Sequence, residues 1–534
     1  MKSKIENENT WHKAVQFKRE KAFHSSYEAA VEKVKKDFGS RYPNYIGGEA
    51  VYSSEEFAHT SPADRSLVIG YFQKGTREDT KRAIEAARVA FSTWANVDYA
   101  KRVKIFRKTA QGIRDAKFEL AALISFENGK NRYEAIGEVD EALDFVTYYC
   151  YLMETNKGYT KEMGRAFPNE TTRSVLRPYG VWGIIVPFNA PLGLGAGMST
   201  GAMITGNTIV FKPASDTPLL SVKLYEITKR AGLPKGVMNH VTGPGDTAGR
   251  ELVENESVSG INFTGSKEVG YASYTLFSQK KPRPFIAELG GKNPVIVTKK
   301  ADLDNAVEGI VRAAFGYSGQ KCSACSRVFV EKEVKERFLQ KLVDRVSGLK
   351  VEHPIQRDAF VSPLINQKAY ESYKAYVKKA TAAGRVLFGG NALTEGAFQN
   401  GYFVEPTVVS ELPNNHELLT NELFVPILCV SDVSSLEEAL TGANNVEYGL
   451  TAGIFSEDRK EIDKFFECIE AGVAYANRKI SATTGAMIGA QPFGGWKASG
   501  SSGKGAGGEY YLLQFMREQS RCTTQSSERR RARK

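Results

Sequence analysis

The residues able to do chemistry lie in a few short, glycine-punctuated segments of the chain. Cys322 sits in Ser318-Gly319-Gln320-Lys321-Cys322-Ser323-Ala324-Cys325-Ser326-Arg327. Gly319 lets the chain turn, and the spacing puts the cysteine near a helix start. A helix N-terminus and the adjacent Lys321 would both favour the nucleophilic thiolate. Glu288 ends an apolar run in Ala287-Glu288-Leu289-Gly290-Gly291-Lys292. A carboxylate at the end of a buried strand is partly desolvated, and its raised pKa suits a general base. Asn189, in Pro187-Phe188-Asn189-Ala190-Pro191, is an amide donor in a turn pinned by two prolines, fit to stabilise an oxyanion. Phe263-Thr264-Gly265-Ser266, with Gly270 beyond it, reads as strand, glycine turn and helix start. Its N–H groups and Ser266 could hold a pyrophosphate, although the Gly-x-Gly-x-x-Gly fingerprint is absent. Lys212-Pro213-Ala214-Ser215 ends another strand, with Lys212 placed to reach a ribose hydroxyl.

Each segment taken alone has a plainer alternative. Cys322 reads equally as an inert buried cysteine, Glu288 as a structural carboxylate paired with a lysine, Asn189 as a turn residue and Ser266 as a helix cap. Cys322-x-x-Cys325 also reads as a redox pair or half a zinc site. There is no second Cys-x-x-Cys and no histidine nearby in sequence, so no metal is expected.

The elements that must position these residues follow a clear rhythm. Up to Arg41 the chain is a charged helical extension, and Tyr42–Tyr52 is strand-like around Gly47-Gly48. Arg77 to Asn156 is helical, with Ala83, Ala86, Ala87, Ala90 and Phe91 on one face. Asn156–Arg177 suits a projecting hairpin. From Val181 onward, short uncharged strands alternate with helices: Val181–Val186, Leu192–Ile204, Thr208–Lys212, Thr217–Ala231, Val237–Val241 and Gly260–Phe263. That is the pattern of a parallel sheet covered on both faces, which binds ligands at the carboxyl ends of its strands. A second α/β region begins at Phe285–Glu288 and Pro294–Thr298 and runs to Ala474. Gly500–Phe515 is Gly- and Ser-rich, then β-like.

Composition excludes several classes. The 534 residues are 42% hydrophobic and 25% charged, which is ordinary for a globular protein and excludes wholesale disorder. Six cysteines cannot make a disulfide framework, so a reducing, cytoplasmic setting is expected. Part of the net charge of +11 is local, because Ser527–Lys534 is strongly basic. The body therefore demands no specific nucleic-acid partner, and the tail reads as a solvated end. No signal peptide is visible. Pro178–Phe211 is uncharged and long enough to span a bilayer, yet its prolines, asparagines and glycines would leave polar backbone unsatisfied in lipid. No membrane association is expected.

The set and order of the motifs carry more than any one of them. Pro-Phe-Asn, Lys-Pro-Ala-Ser, Phe-Thr-Gly-Ser, Glu-Leu-Gly-Gly-Lys, Gly-Gln-Lys-Cys, Asn421-Glu422-Leu423-Phe424-Val425-Pro426 and Pro492-Phe493-Gly494-Gly495 occur in sequence. From Tyr42 to Phe515 the chain resembles the aldehyde dehydrogenase superfamily. The resemblance implies an α/β fold with a Rossmann-like cofactor domain (42–155 and 178–288) and an α/β catalytic domain (289–480). It also implies small β oligomerisation arms (156–177 and 500–518), here between an N-terminal extension (1–41) and a basic tail (519–534). A homo-oligomer is expected.

By the same resemblance, Cys322 is the nucleophile that forms a thiohemiacetal and then a thioester. Asn189 and the Cys322 N–H form the oxyanion hole, and Glu288 activates the hydrolytic water. The cofactor is NAD, held by Pro187, Phe188, Lys212, Ser215, Gly245, Gly265, Ser266, Leu289, Glu422 and Phe424. Many NAD-preferring members carry Glu where Ser215 stands. A carboxylate there would repel a ribose 2′-phosphate, so its absence leaves NADP admissible.

Gln320–Arg327, Asn477-Arg478, Thr484-Gly485-Ala486 and Gln491–Gly495 are similar to segments of the Δ1-pyrroline-5-carboxylate dehydrogenases. That similarity implies oxidation of L-glutamate γ-semialdehyde to glutamate in proline catabolism. Ser323 and the Gly485 and Ala486 backbone would hold the α-carboxylate, Phe493 would pack beside the chain, and Lys321 would add modest positive charge. The alternatives are another semialdehyde, succinic or aminoadipic, and a non-enzymatic binding or redox protein on the same fold.

Overall fold

In the computed structural model the described residues are 7–479 and 487–524. Two seven-stranded sheets organise them. The first runs, edge to edge, Phe285–Glu288, Val258–Thr264, Val181–Ile185, Thr208–Lys212, Met238–His240, Asn44–Ile46, Glu49–Val51. Its first five strands are parallel, and the last two form an antiparallel hairpin turning at Gly47 and Gly48, whose φ values are 62° and 89°. The parallel strands are almost wholly buried, as expected for a sheet covered on both faces.

The chain leaves Val181–Ile185 toward Thr208–Lys212 on one side, and leaves Val258–Thr264 toward Phe285–Glu288 on the other. Between the carboxyl ends of those two neighbouring strands the strand order reverses, which opens a crevice in the sheet edge. Pro187–Asn189 follows one of them and Gly265-Ser266 the other.

The second sheet runs Arg385–Phe388, Thr407–Ser410, Ile427–Val433, Cys325–Glu331, Asn293–Val297, Thr451–Phe455, Val473–Ala476. All but the Arg385–Phe388 edge strand are parallel. The short crossing Leu289–Lys292 joins the two sheets. Among the described residues no helix is long and apolar enough to cross a membrane.

A third, antiparallel sheet is formed by Thr160–Glu162, Glu170–Pro178 and Met516–Thr524. Here the structure corrects the sequence-based boundaries. Gly500–Phe515 holds no strand beyond two isolated bridges, Gly500 to Glu288 and Ala506 to Phe493, and it ends in a 3-10 turn, Tyr511–Phe515. The strand lies later, at Met516–Thr524, and takes in 519–524, which the sequence assigned to the tail. Its register with Glu170–Pro178 runs unbroken from Met516↔Pro178 to Thr524↔Glu170. Apart from Met516 it is exposed, so no apolar alternation marks it. Residues 525–534 lie outside the described residues.

The helix Arg132–Thr155 threads between these layers. Asn131 caps it, accepting from the Tyr133 and Glu134 amides. Its apolar face, including Ala135, Val139, Ala142 and Leu143, is buried against helices Tyr99–Asp115 and Gly193–Ile204. The N-terminal extension folds as helices Thr10–Gln16, which docks on the same helix, and Glu20–Val34, which packs chiefly on helix Lys117–Glu127. Asp140 accepts from the Thr10 amide at 2.7 Å and hydroxyl at 2.8 Å and pairs with Lys117 at 2.8 Å. Breaking this buried, charge-assisted contact costs about 1–3 kcal/mol. Asp140→Ala is therefore expected to lower stability by that amount and to raise amide exchange in 10–16 ahead of the rest of the chain. Unchanged protection there would show that the extension is held by other contacts.

Candidate active site

Three side chains from different elements meet where the sheets face each other. Glu288 ends the edge strand of the first sheet. Asn189 stands in the turn after Val181–Ile185, and Cys322 in the turn before Cys325–Glu331 of the second sheet. The Cys322 thiol donates to Glu288 Oε1 at 3.2 Å. Asn293, beginning the neighbouring strand Asn293–Val297 of the second sheet, fixes the Cys322 backbone. Its Nδ2 donates to the Cys322 carbonyl at 2.7 Å and the Ala324 carbonyl at 2.9 Å, and its Oδ1 accepts from the Thr451 amide at 2.9 Å.

Two cavities open on opposite sides of this cluster, and Asn189 and Cys322 line both. One, of 430 Å³, is walled by Pro187, Phe188, Gly265, Ser266, Leu289, Glu422 and Phe424. The other, of 270 Å³, is walled by Lys321, Ser323, Phe493 and the carboxylates Glu134, Glu138, Glu141 and Glu288.

The larger cavity fits a dinucleotide. Ser266 caps helix Lys267–Ser278, whose N-terminal amides and dipole favour an anionic group. Glu422 accepts from the Gly291 amide at 2.9 Å, and a Cβ at Gly290 would stand 2.3 Å from its carboxylate, so only glycine admits it. Phe188 and Phe424 meet edge to face at 5.7 Å beside Cys322. Phe424 takes φ 58°, a conformation that bulky residues adopt only where the surroundings compel it.

Low polarity governs the protonation states. Desolvation pushes the Glu288 carboxyl up to about 7, opposed by the hydrogen bond from Cys322. Desolvation, then the neighbouring Glu288, raises the Cys322 thiol well above its ordinary value. Desolvation raises Glu422 to about 7 and Glu141 to about 8. It lowers Lys292, whose buried Nζ has no hydrogen-bond partner, to about 8. At rest the site is thus a thiol beside a carboxylate poised near neutrality, a pair able to pass one proton.

Two expectations are corrected here. Cys322 does not begin a helix. Tyr317, Ser318 and Gly319 take left-handed φ values of 49°, 54° and 69°, which break helical continuation, and the β-branched run beyond Cys325 enters the sheet. With no helix dipole and no free lysine charge, thiolate is not favoured at rest. Lys321 supplies no net positive charge, because its Nζ is paired with Glu134 at 2.5 Å. Lys212, Ser215 and Gly245 are not on the wall of the larger cavity, although Ala214, between the first two, is. Lys212 is buried with Nζ donating to the Pro213 carbonyl at 2.8 Å, and Ser215 is exposed.

Gly485 and Ala486 lie outside the described residues. The sequence reading missed the acidic face of helix Arg132–Thr155. Its signal was available: Glu134, Glu138 and Glu141 at i, i+4 and i+7 share one side of the helix.

Comparison with known proteins agrees with this geometry. The aldehyde dehydrogenase family matches over residues 51–520. A 1-pyrroline-5-carboxylate dehydrogenase of Geobacillus sp. (strain WCH70) is 37% identical over 91% of this chain and 94% of its own length. A structure of Thermus thermophilus 1-pyrroline-5-carboxylate dehydrogenase, in a variant form, superposes with a TM-score of 0.92 at 34% identity, covering 98% of this chain and all of that one. A Thermus 1-pyrroline-5-carboxylate dehydrogenase with bound NAD gives the same score, identity and coverage. With that match spanning most of its length, the chain belongs to the aldehyde dehydrogenase family.

Proposed function

We propose that this protein oxidises L-glutamate γ-semialdehyde, the open form of 1-pyrroline-5-carboxylate, to L-glutamate with NAD, the second step of proline catabolism. The observation that carries the reading is the shared wall. A thiol and an amide stand between a cavity suited to a dinucleotide and one suited to a small polar aldehyde.

Cys322 attacks the aldehyde carbon as its proton passes to Glu288, giving a thiohemiacetal. Asn189 and the Cys322 amide hold the developing oxyanion. NAD, when bound, would accept the hydride that the thiohemiacetal carbon gives up, so that the acyl group stays on Cys322 as a thioester. Glu288, once it has passed the thiol proton on to solvent, takes a proton from the water that attacks the thioester, and the acid forms as the Cys322 thiolate is expelled and reprotonated. Ser266 and its helix N-terminus would hold the pyrophosphate, Glu422 and Phe424 the nicotinamide end, and Lys212 a ribose. Ser215 places no carboxylate against NADP, which is tolerated more weakly.

The semialdehyde with an α-amino group is favoured over succinic semialdehyde by the charge of the smaller cavity. Lys130 and Lys321 are each tied to a carboxylate, at 2.6 and 2.5 Å, and Glu141 and Glu288 remain. An ammonium is attracted there, whereas a purely acidic tail is not. The exposed third sheet, with Glu170–Pro178 and Met516–Thr524 paired along its length, supports a homo-oligomer built on these arms. The all-free cysteines accord with a cytoplasmic enzyme.

The direct test is reduced-nicotinamide absorbance with pyrroline-5-carboxylate and succinic semialdehyde side by side. A strong preference for the former is expected; equal rates would discard the substrate and keep the reaction. Cys322→Ala should abolish turnover, and Glu288→Gln should leave at most a burst of reduced cofactor.

The pH dependence has a definite sign. The working base is the Glu288 carboxylate, so kcat/KM should rise through pH of about 7, and a flat profile would remove Glu288 from the role. The same shift bears on stability. A carboxyl held near 7 in the fold against an ordinary 4.5 makes the native state bind a proton the unfolded state has lost, so stability falls as pH rises across that window. Glu288→Gln should therefore raise the unfolding midpoint at pH of about 8 and change it little at about 4.

A further inference from the structure

Helix Arg132–Thr155 touches both halves of the site through carboxylates on one face. Glu138 Oε1 accepts from the Leu192 amide at 2.8 Å and the Gly193 amide at 3.2 Å, while its Oε2 pairs with Lys130 at 2.6 Å. Those amides open helix Gly193–Ile204, which has no side-chain cap of its own. The turn carrying Asn189 runs straight into that helix. Gly193 makes the approach feasible, since a Cβ there would lie 3.3 Å from Glu138 Cγ and 2.7 Å from the Glu141 carboxylate.

Glu134 makes the matching contact on the other half. Its Oε2 accepts from the Tyr317 amide at 2.8 Å, and its Oε1 pairs with Lys321 at 2.5 Å. Tyr317 and Ser318 are left-handed, at roughly 1–2 kcal/mol each, so the turn that presents Cys322 needs contacts from outside to persist. The Tyr317 hydroxyl bond to the Asn128 carbonyl, at 2.8 Å, adds a second tie to the segment just before the same helix.

We propose that Glu134 and Glu138 are positioning residues. Together they make one turn of this helix a rigid spacer, about 6 Å along its axis, that sets the Asn189 amide against the Cys322 sulfur and N–H. Glu138 acts through Asn189, and Glu134 acts through the Cys322 turn. The inference rests on the catalytic roles proposed above for Asn189 and Cys322. It goes beyond them in assigning what holds two loops from different sheets in register.

The test is a mutant cycle in steady-state turnover of pyrroline-5-carboxylate with the full-length protein. Glu138→Ala is expected to lower kcat by about 10- to 100-fold, because a misplacement near 1 Å costs that much, with KM for NAD within about twofold. Glu138→Gln keeps an acceptor for the two amides and should recover most of the loss. In an Asn189→Ala background Glu138→Ala should cost less than about threefold, because the group it positions is gone. Glu134→Ala should cost the same in either background. If Glu138→Ala does not fold, Glu138→Asp, too short to reach both amides, takes its place in the cycle. Losses of Glu138 and Asn189 that multiply in full, or a Gln variant as slow as the Ala one, would overturn the spacer. Absence of turnover by the unmodified enzyme would instead overturn the functional reading.

Discussion

The site depends on a hydrogen bond that bridges two sheets. Glu288 closes the edge strand of one sheet and Cys322 sits at the mouth of a central strand of the other, yet the thiol donates to the carboxylate at 3.2 Å. Leu289–Lys292 is all the chain that crosses between the sheets at this point, and it is held on both sides. Ser499 accepts from the Leu289 amide through its carbonyl at 2.9 Å and donates its hydroxyl to the Gly290 carbonyl at 2.7 Å. Glu422 takes the Gly291 amide. Two adjacent glycines are needed because the Glu422 carboxylate and the Cys322 carbonyl occupy the space their side chains would fill. The Glu288 carboxylate, the seat of the Cys322 carbonyl and a wall of the larger cavity therefore all depend on this one stretch of backbone.

Stability is given up at that point. Desolvated carboxyls held near 7 or 8 at Glu288, Glu422 and Glu141, a lysine lowered to about 8 at position 292, and left-handed Tyr317, Ser318 and Phe424 are each less favourable than an apolar, unstrained alternative. They cluster on the two cavity walls, on the crossing between the sheets and in the turn just before Cys322. The surrounding layers carry the compensation: both sheets present nearly continuous buried strands, and the helices on them contribute large apolar clusters. Acids remote in sequence also cap helices that lack their own cap residue. Glu127 does so for Leu219–Arg230 as Glu138 does for Gly193–Ile204.

What the sequence revealed and what it concealed divide along physical lines. Strand, turn and helix alternate with local signals, so the parallel sheets and the ends of their strands could be read directly, and with them Asn189, Gly265, Ser266 and Glu288. Cys322 was legible as a residue but not in its setting. Gly319 signals a turn, yet nothing local shows that Tyr317 and Ser318 would join it in left-handed conformations held by Glu134. Met516–Thr524 carries no apolar alternation because both of its faces are exposed, and only its partner strand reveals it. The pairings of Lys321 and Lys130 with Glu134 and Glu138 depend on side chains converging across the fold, where local sequence is silent.

Those pairings change how the smaller cavity selects its ligand. A lysine beside the nucleophile suggests charge attraction to an acidic tail, but both lysines on the described wall are already neutralised at contact distance. For the proposed substrate, a carboxylate would then have to be held by oriented neutral donors, and Ser323 on the cavity wall is the one offered for it; such donors reward geometry more than charge. The remaining Glu141 is raised to about 8 and stays largely protonated until a cation approaches. An α-ammonium draws it back to the ionised form and gains an ion pair in a desolvated setting, whereas a second carboxylate gains nothing and keeps it neutral. Under the proposed function this cavity therefore favours a zwitterionic amino-acid tail, and the carboxylates of helix Arg132–Thr155 supply the charge that does the selecting.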